Sequence, residues 1–290
     1  MDKSGQQINT AGVLYVVATP IGNLDDISTR AAAVLSDVDM IAAEDTRHSR
    51  NLLKHLHIKA RMLAYHDHSA DDAQDLILNP LHDGKSVALI SDAGTPLISD
   101  PGFKLVRAAR IAGIKVIPIP GPAALVAALS VAGIPTDRFT FLGFPPAKPA
   151  ARRALLAELT ERQETLVFYE SSHRIVATVE SMVEVFGARR QVFVGRELTK
   201  LFESHFFGAL DECSGWLRGD DNERRGEFVI VLSGFAGPAI IEEMKAALGV
   251  FRVLRDELPL KQAVTLASRI SGVRKNALYQ AALEEDDNPA

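Results

Sequence analysis

Twelve residues, Ser91 to Gly102 (SDAGTPLISDPG), hold two glycines, two prolines, two aspartates and two serines directly after an apolar run ending at Ile90. Punctuation that dense belongs to a connection, and a long connection inside a compact domain is usually functional. Ala93, Gly94 and Thr95 are small enough to let a ligand approach the backbone amides. Asp100 before Pro101 reads as the cap of the next helix, with proline at its favoured first position. A second loop, TPIGNL at Thr19–Leu24, combines a fixed torsion at Pro20 with a permissive one at Gly22. A third, PGPAA at Pro120–Ala124, again follows an apolar run and opens a helix with small residues. None is GxGxxG, so the nicotinamide-dinucleotide fingerprint is missing and a dehydrogenase is disfavoured. Open parallel sheets bind ligands at the carboxyl ends of their strands, so three such loops on one edge describe a crevice.

The elements that must hold these loops follow from periodicity. Short apolar runs at Val13–Ala18, Met40–Ala43, Arg61–Tyr65, Val87–Ile90 and Lys115–Ile119 alternate with helical spacing at Ile27–Ser36, Arg47–His55, Ala73–Leu81 and Phe103–Ala112. Strand and helix in alternation predict a mostly parallel sheet with helices on its faces. Asp25 and Asp26 are placed to cap the first helix, and Gly113 to end the fourth. Gly-Ile-Pro-Thr-Asp at 133–137 interrupts the pattern. Beyond it, strands are expected at Arg138–Phe144, Thr165–Tyr169, Gln191–Gly195, Phe202–Phe207 and Phe228–Leu232, with helices at 152–162 and Ile175–Phe186. The division expected is a flexible arm (1–12), an α/β domain (13–134), a second α/β domain (135–236) and a small helical unit with an acidic tail (237–290).

Composition sets outer limits. Of 290 residues, 47% are hydrophobic and 24% charged, an ordinary globular balance. No apolar run reaches the roughly 20 residues a membrane helix needs, and the polar start MDKSGQQINT lacks a signal-peptide core. Cys213 is the only cysteine, which excludes an intrachain disulfide and points to a reducing, cytoplasmic setting. The net charge of −5 argues against a nucleic-acid partner on average, yet Phe251–Gln280 holds Arg252, Arg255, Lys261, Arg269, Arg274 and Lys275 against Asp256 and Glu257. Within that stretch, Leu258–Ile270 is amphipathic, Ser271–Val273 makes a turn, and Arg274–Leu283 forms a second, basic helix. This is the helix-turn-helix arrangement. It places Arg274, Lys275 and Asn276 for phosphates or base edges, with Lys261 nearby; support of a dimer is the other reading of the same tail.

The trio TPIGNL, SDAGTPLISDPG and PGPAAL, with AAEDTR at Ala42–Arg47, resembles the tetrapyrrole methylase superfamily, and more narrowly its bacterial branch that methylates a cytidine 2′-oxygen in small-subunit ribosomal RNA. FYESSHR (Phe168–Arg174), GRELTK (Gly195–Lys200) and RRGEFVIV (Arg224–Val231) continue the match. The resemblance implies an S-adenosylmethionine donor held between two α/β domains, commonly in a homodimer, and the small ribosomal subunit or its RNA as substrate. Carried over by motif, Pro20, Asp92, Ala93, Gly94, Thr95 and Ile98 meet the donor, with Ala123 and Ala124 beside its amino-acid or sulfonium part. Leu142, Tyr169 and Gly226, Glu227 and Phe228 would form the wall from the second domain. The family's tetrapyrrole enzymes have Gly-Asp-Pro where this chain has Ser91-Asp92-Ala93.

Methyl transfer from a sulfonium is an in-line displacement, and alignment of the reactants is worth up to roughly 7–11 kcal/mol. No metal is required. A ribose hydroxyl needs a proton acceptor, for which the candidates are Glu44, Asp45, His66 and Glu170. Pairing with Arg47 or capping the helix begun by Thr46 is the rival role of Glu44 and Asp45. His66 and His68 share a strand face, but no third ligand accompanies them, so a metal centre is not expected. Lys148, Arg152, Arg153, His173 and Arg174 are further candidates for RNA phosphates; Arg196 and Glu197 offer polar groups for phosphates or for shaping the cleft, with an internal Arg196–Glu197 network as the other reading. Methylation of a small tetrapyrrole on the same scaffold, or non-catalytic RNA binding, are the competing functions.

Overall fold

The computed structural model describes residues 12–66, 71–219 and 222–287. The chain divides into two compact units: residues 1–159 with 165–233, and residues 160–164 with 234–290.

The larger unit contains two five-stranded sheets. The first is built from β1 (Val13–Val17), β2 (Met40–Ala43), β3 (Met62–Ala64), β4 (Val87–Ile90) and β5 (Lys115–Ile119), in the order β3-β2-β4-β1-β5, with every pairing parallel. Parallel strands buried on both faces read as continuous apolar runs, and here the alternation splits them cleanly. Leu14, Met40, Ala42, Val87 and Leu89 face one core, while Val17, Ile41, Ala43, Ala88 and Ile90 face the other. The connecting helices are α1 (Thr29–Asp37), α2 (Thr46–His55), α3 (Asp71–His82) and α4 (Phe103–Ile111). Ile77, Leu81, Leu105 and Ala109 of α3 and α4 cover the first face; Ala31, Leu35 and Leu53 of α1 and α2 cover the second. The expected strands and helices of this half are present.

Helix α5 (Ala124–Val131) leads to the second sheet, formed by β6 (Phe139–Phe141), β7 (Thr165–Ser171), β8 (Gln191–Arg196), β9 (Ser204–Ala209) and β10 (Glu227–Leu232). Its order is β6-β7-β10-β8-β9, parallel only between β6 and β7. Helices α6 (Pro149–Ala157), α7 (Ile175–Phe186) and α8 (Leu210–Gly219) cover one face through Leu156, Val179, Met182 and Leu217. The other face, Val167, Phe193, Val229 and Val231, packs on Ala128, Leu129 and Ala132 of α5. The sequence reading passed over α8.

The smaller unit contains α9 (Pro238–Arg255), α10 (Leu260–Ser271) and α11 (Lys275–Asp287), around Ala247, Phe251, Ala263, Val264, Ala267, Leu278 and Ala282. Gly272 ends α10 in the left-handed region at φ 78°, and the Ser268 hydroxyl donates to the Val273 carbonyl at 2.7 Å, which fixes the expected turn. No helix among the described residues is long and apolar enough to cross a membrane.

Two expected caps are corrected. Ser28, not Asp25 or Asp26, caps α1, its Oγ accepting from Ala31 N at 3.0 Å; the two aspartates lie in a preceding 3-10 turn. Asp100 does not cap α4, whose N-cap is Gly102 at φ 130° with no side-chain bond. The expected arm falls outside the described residues except for Gly12, which is buried and donates to the Leu81 carbonyl at 2.7 Å. Asp67 and His68 also lie outside them.

Candidate functional site

The three loops leaving the first sheet are stitched to one another by hydrogen bonds. Thr19 and Gly94 exchange backbone bonds at 2.8 and 3.1 Å, and the Thr19 hydroxyl donates to the Ser91 carbonyl at 3.3 Å. Thr95 Oγ1 donates to the Pro122 carbonyl at 3.0 Å, tying in the third loop. From the second sheet, the Tyr169 hydroxyl accepts the Leu125 N–H at 3.0 Å. That bond supplies the start of α5 with the acceptor its own N-cap, Ala123, lacks.

These loops and the ends of β7 and β10 enclose a cavity of about 260 Å³. Of the residues expected to meet a donor, Ala93, Gly94, Thr95, Ile98, Ala123, Ala124, Tyr169, Glu227 and Phe228 line it. Pro20, Asp92, Leu142 and Gly226 do not. Pro20 is buried, and Leu142 packs against the second sheet's core. Asp92 turns away, its carboxylate accepting from Asp45 N at 2.9 Å.

The wall also holds Glu197, one of the polar groups expected to shape the cleft, and groups not expected there from sequence, among them Ile21, Ser99, Asp100, Phe144, Leu198 and Lys200. Asp100 is the most perturbed acid of the site. Burial first, then the charges of Glu44 and Asp92, push its carboxyl up to about 6, although the Ser91 hydroxyl bonds it. Its loop is strained, with Leu97 at φ 74° and Ser99 at φ 66°. Opposite, Lys200 Nζ donates to Glu197 Oε1 and Glu227 Oε2, both at 2.8 Å. Burial pulls that ammonium down, but the two carboxylates outweigh it and hold Lys200 above its ordinary range. Glu197 and Thr199 both have positive φ, 51° and 66°, so this segment too is held against its local preference.

None of Glu44, Asp45 and His66 lines the cavity. Burial and the nearby Asp92 raise the Glu44 carboxyl. Asp45 caps α2, accepting from Arg47 N at 2.7 Å, which lowers its carboxyl. Glu170 is at the wall, but both of its oxygens are engaged. Oε1 accepts from Ser171 N at 2.8 Å and pairs with Arg174 at 2.7 Å, and Oε2 accepts from Thr178 at 2.6 Å. Among the basic candidates, Lys148, Arg153, His173, Lys261, Arg274, Lys275 and Asn276 are exposed. Arg152 is not: it is buried, donating to Ser181 Oγ at 3.1 Å and the Ala147 carbonyl at 3.4 Å. Arg196 is likewise internal, bonded to the Arg225 and Phe202 carbonyls. Among the described residues no cluster of His, Cys, Asp and Glu is arranged to hold a metal ion.

A parallel sheet and a second, mostly antiparallel sheet meeting at a cavity of small residues define a methylase architecture, and residues 13–214 match the model of the Tetrapyrrole (Corrin/Porphyrin) Methylases. The chain belongs to that family. Residues 243–286 match a second model, the RsmI C-terminal HTH domain. Ribosomal RNA small subunit methyltransferase I of Pseudomonas aeruginosa is 51% identical over 276 residues, 95% of this chain and 98% of that protein. The protein of the same name from Escherichia coli O157:H7 is 49% identical over 278 residues, covering 96% of each. Among solved structures, uroporphyrin-III-C-methyltransferase from Thermus thermophilus gives a TM-score of 0.54 at 21% identity, covering 77% of this chain and 94% of its own. Cobalt precorrin-4 methyltransferase gives 0.58 at 18%, covering 76% and 94%. These two share the fold of the larger unit.

Proposed function

We propose that this protein transfers a methyl group from S-adenosylmethionine to the ribose 2′-hydroxyl of a cytidine in small-subunit ribosomal RNA. The observation that carries the reading is similarity near 50% along almost the whole chain, helical unit included, to ribosomal RNA methyltransferases. A donor cavity alone would serve a small tetrapyrrole equally well; a basic helix-turn-helix in the same chain favours RNA.

The cavity's chemistry suits the donor. Ala93, Gly94, Ala123 and Ala124 leave room for a ligand against backbone, and Tyr169 and Phe228 supply apolar wall. Asp100, when ionised, provides an anionic partner for a cationic ligand, and the nearby Glu44 and Asp92 carboxylates add to the negative field there. When bound, the donor supplies an activated methyl on a sulfonium. The chain's residues hold it, exclude water and align the acceptor oxygen. None of the four candidate proton acceptors is singled out: Glu44, Asp45 and His66 lie outside the cavity wall, and both oxygens of Glu170 are engaged by Ser171, Arg174 and Thr178. Lys200 ties Glu197 and Glu227 together on the wall, two carboxylates on one ammonium, and shapes that side of the cavity. Arg274, Lys275, Asn276 and Lys261 hold phosphates from the helix-turn-helix.

The working form is a cytoplasmic homodimer. Leu201, Phe202 and Phe207 are 90%, 69% and 53% exposed, an apolar stretch that a second copy would cover. The deciding experiment is transfer of labelled methyl from S-adenosylmethionine to small subunits lacking endogenous modification, with mass mapping of the RNA. Label on one cytidine ribose is expected. No label, with donor binding intact, would turn the assignment toward a tetrapyrrole substrate.

A further inference from the structure

Phe144 is a large apolar ring left 52% exposed at the cavity wall. It is held in place from several sides. Its edge meets Tyr169, with ring centroids 5.7 Å apart at 65°, and Tyr169 is itself set by Phe141 at 4.8 Å and by the bond from Leu125. The Arg174 guanidinium lies over the Phe144 ring, 6.0 Å from its centroid. Arg174 in turn is fixed by the fully buried Glu170 carboxylate at 2.7 Å and by the Pro145 carbonyl at 3.1 Å. The preceding Gly143 has φ 63°, and a β-carbon there would lie 3.3 Å from Ser99 Oγ, so the ring is pinned beside the Ser91–Gly102 loop. A buried anion, a cation anchored on it and an aromatic ladder thus converge to hold one ring that stays 52% exposed among the described residues.

A ring presented this way suits a flat, uncharged π-system. Unstacked bases of single-stranded RNA are gripped by aromatic side chains, and a base held this way would fix the position of its own ribose hydroxyl. Phe144 lines the same cavity as the residues expected to meet the donor, and is itself more than half exposed. Lys148, four residues on, and His173, beside Arg174, are both exposed; Lys148 brings a positive charge and His173 a hydrogen-bonding imidazole. We propose that Phe144 is the platform on which the acceptor nucleotide's pyrimidine base stacks while its ribose is methylated, with Lys148 and His173 taking the flanking phosphates. The inference rests on the ribosomal RNA reading above.

The test uses the full-length protein with Phe144→Leu, which keeps bulk and apolarity without the π-face, and Phe144→Trp, which keeps the face. Donor affinity is measured by calorimetry and methyl transfer by steady-state kinetics on unmodified small subunits, with melting temperature as the control for folding. Phe144→Leu is expected to lower kcat/KM by about 10-fold or more, the range of one lost stacking contact, with donor Kd unchanged. Phe144→Trp should keep activity within about 3-fold of the parent. Equal kcat/KM for the parent and Phe144→Leu overturns the proposal. So does a loss of donor affinity matching the loss of activity, which would assign the ring to the donor's adenine. If the parent itself methylates no ribosomal RNA, the functional reading fails first and the platform fails with it.

Discussion

At the scale of single residues, Asp100 shows why burial decides what a carboxylate does. The same Asp-Pro sequence that reads as a helix cap instead places its acid in the cavity wall, because Gly102 two residues on takes the N-cap position. Burial and the charges of Glu44 and Asp92 lift its carboxyl to about 6. The sign of the consequence follows. In the unliganded protein the neutral form is favoured below about pH 6, so that contribution to stability is present at low pH and is lost as pH rises through that value. A cationic donor favours the carboxylate, so donor binding runs the other way. Below about pH 6 a proton must leave before the donor can pair, and affinity should fall by up to about tenfold per pH unit. Calorimetric titrations with S-adenosylmethionine from pH 8 down to pH 5 would trace this loss. Asp100→Asn is expected to bind the donor at least about tenfold more weakly at pH 8, an order typical of a lost charge-assisted bond. It should also abolish the pH dependence. A variant whose affinity still falls below pH 6 would show that another group carries the charge.

At the scale of elements, the strands of the first sheet were legible because a buried parallel sheet leaves uninterrupted apolar runs such as Val87–Ile90. The crevice was legible too, since Gly, Pro and small residues cluster where Gly94 and Thr19 exchange hydrogen bonds. The opposite wall was legible only in part, through Tyr169, Glu227 and Phe228 of the family motifs. Leu198 and Lys200 were passed over because Glu197 and Thr199 turn the chain with positive φ, and neither residue type announces a left-handed conformation. The Phe144 ring was unreadable for a different reason: its exposure depends on Tyr169 and Arg174, which arrive from another strand and the turn after it. Arg152 looked like a surface cation, but Ser181 on α7 draws it inside. The segment at 197–200 is held from both sides by glycines. A β-carbon on Gly22 would stand 2.3 Å from Lys200 Cγ, and one on Gly226, at φ 102°, would stand 2.5 Å from the Glu197 side chain. Gly22→Ala is therefore expected to displace Lys200 from Glu197 and Glu227 and to press on Thr199 Oγ1 and the Leu198 carbonyl, without adding φ strain at Gly22 itself. Gly226→Ala adds backbone strain of order 1–3 kcal/mol. Thermal melts should therefore separate the two, with Gly226→Ala lower by several degrees and both impaired in methyl transfer. Unimpaired transfer by both would remove the Glu197–Lys200–Glu227 cluster from function.

At the scale of the whole molecule, the two compact units have different chemistry. The larger holds the cavity and four apolar cores of its own. The smaller encloses a separate core around Phe251, Val264 and Leu278, and its stretch from Phe251 to Gln280 carries six basic residues against two acidic ones in a chain whose net charge is −5. Phosphate binding depends on local positive charge and weakens with salt, each neutralised phosphate steepening the log–log slope by about 0.7–0.9. Removing residues 234–290 should therefore leave donor affinity within about threefold, a change of under 1 kcal/mol, because no cavity residue lies in that span. Binding to small subunits should weaken strongly and lose part of its salt dependence. Replacing Arg274 and Lys275 by alanine in the full chain is the milder version, expected to flatten the salt slope by up to about two phosphates' worth and to raise KM rather than lower kcat. Competition binding and steady-state kinetics across 50 to 200 mM salt, an order-of-magnitude window for such contacts, would separate the cases. A truncated protein that binds subunits as tightly as the parent would assign RNA recognition to the larger unit and leave the helical tail a structural part.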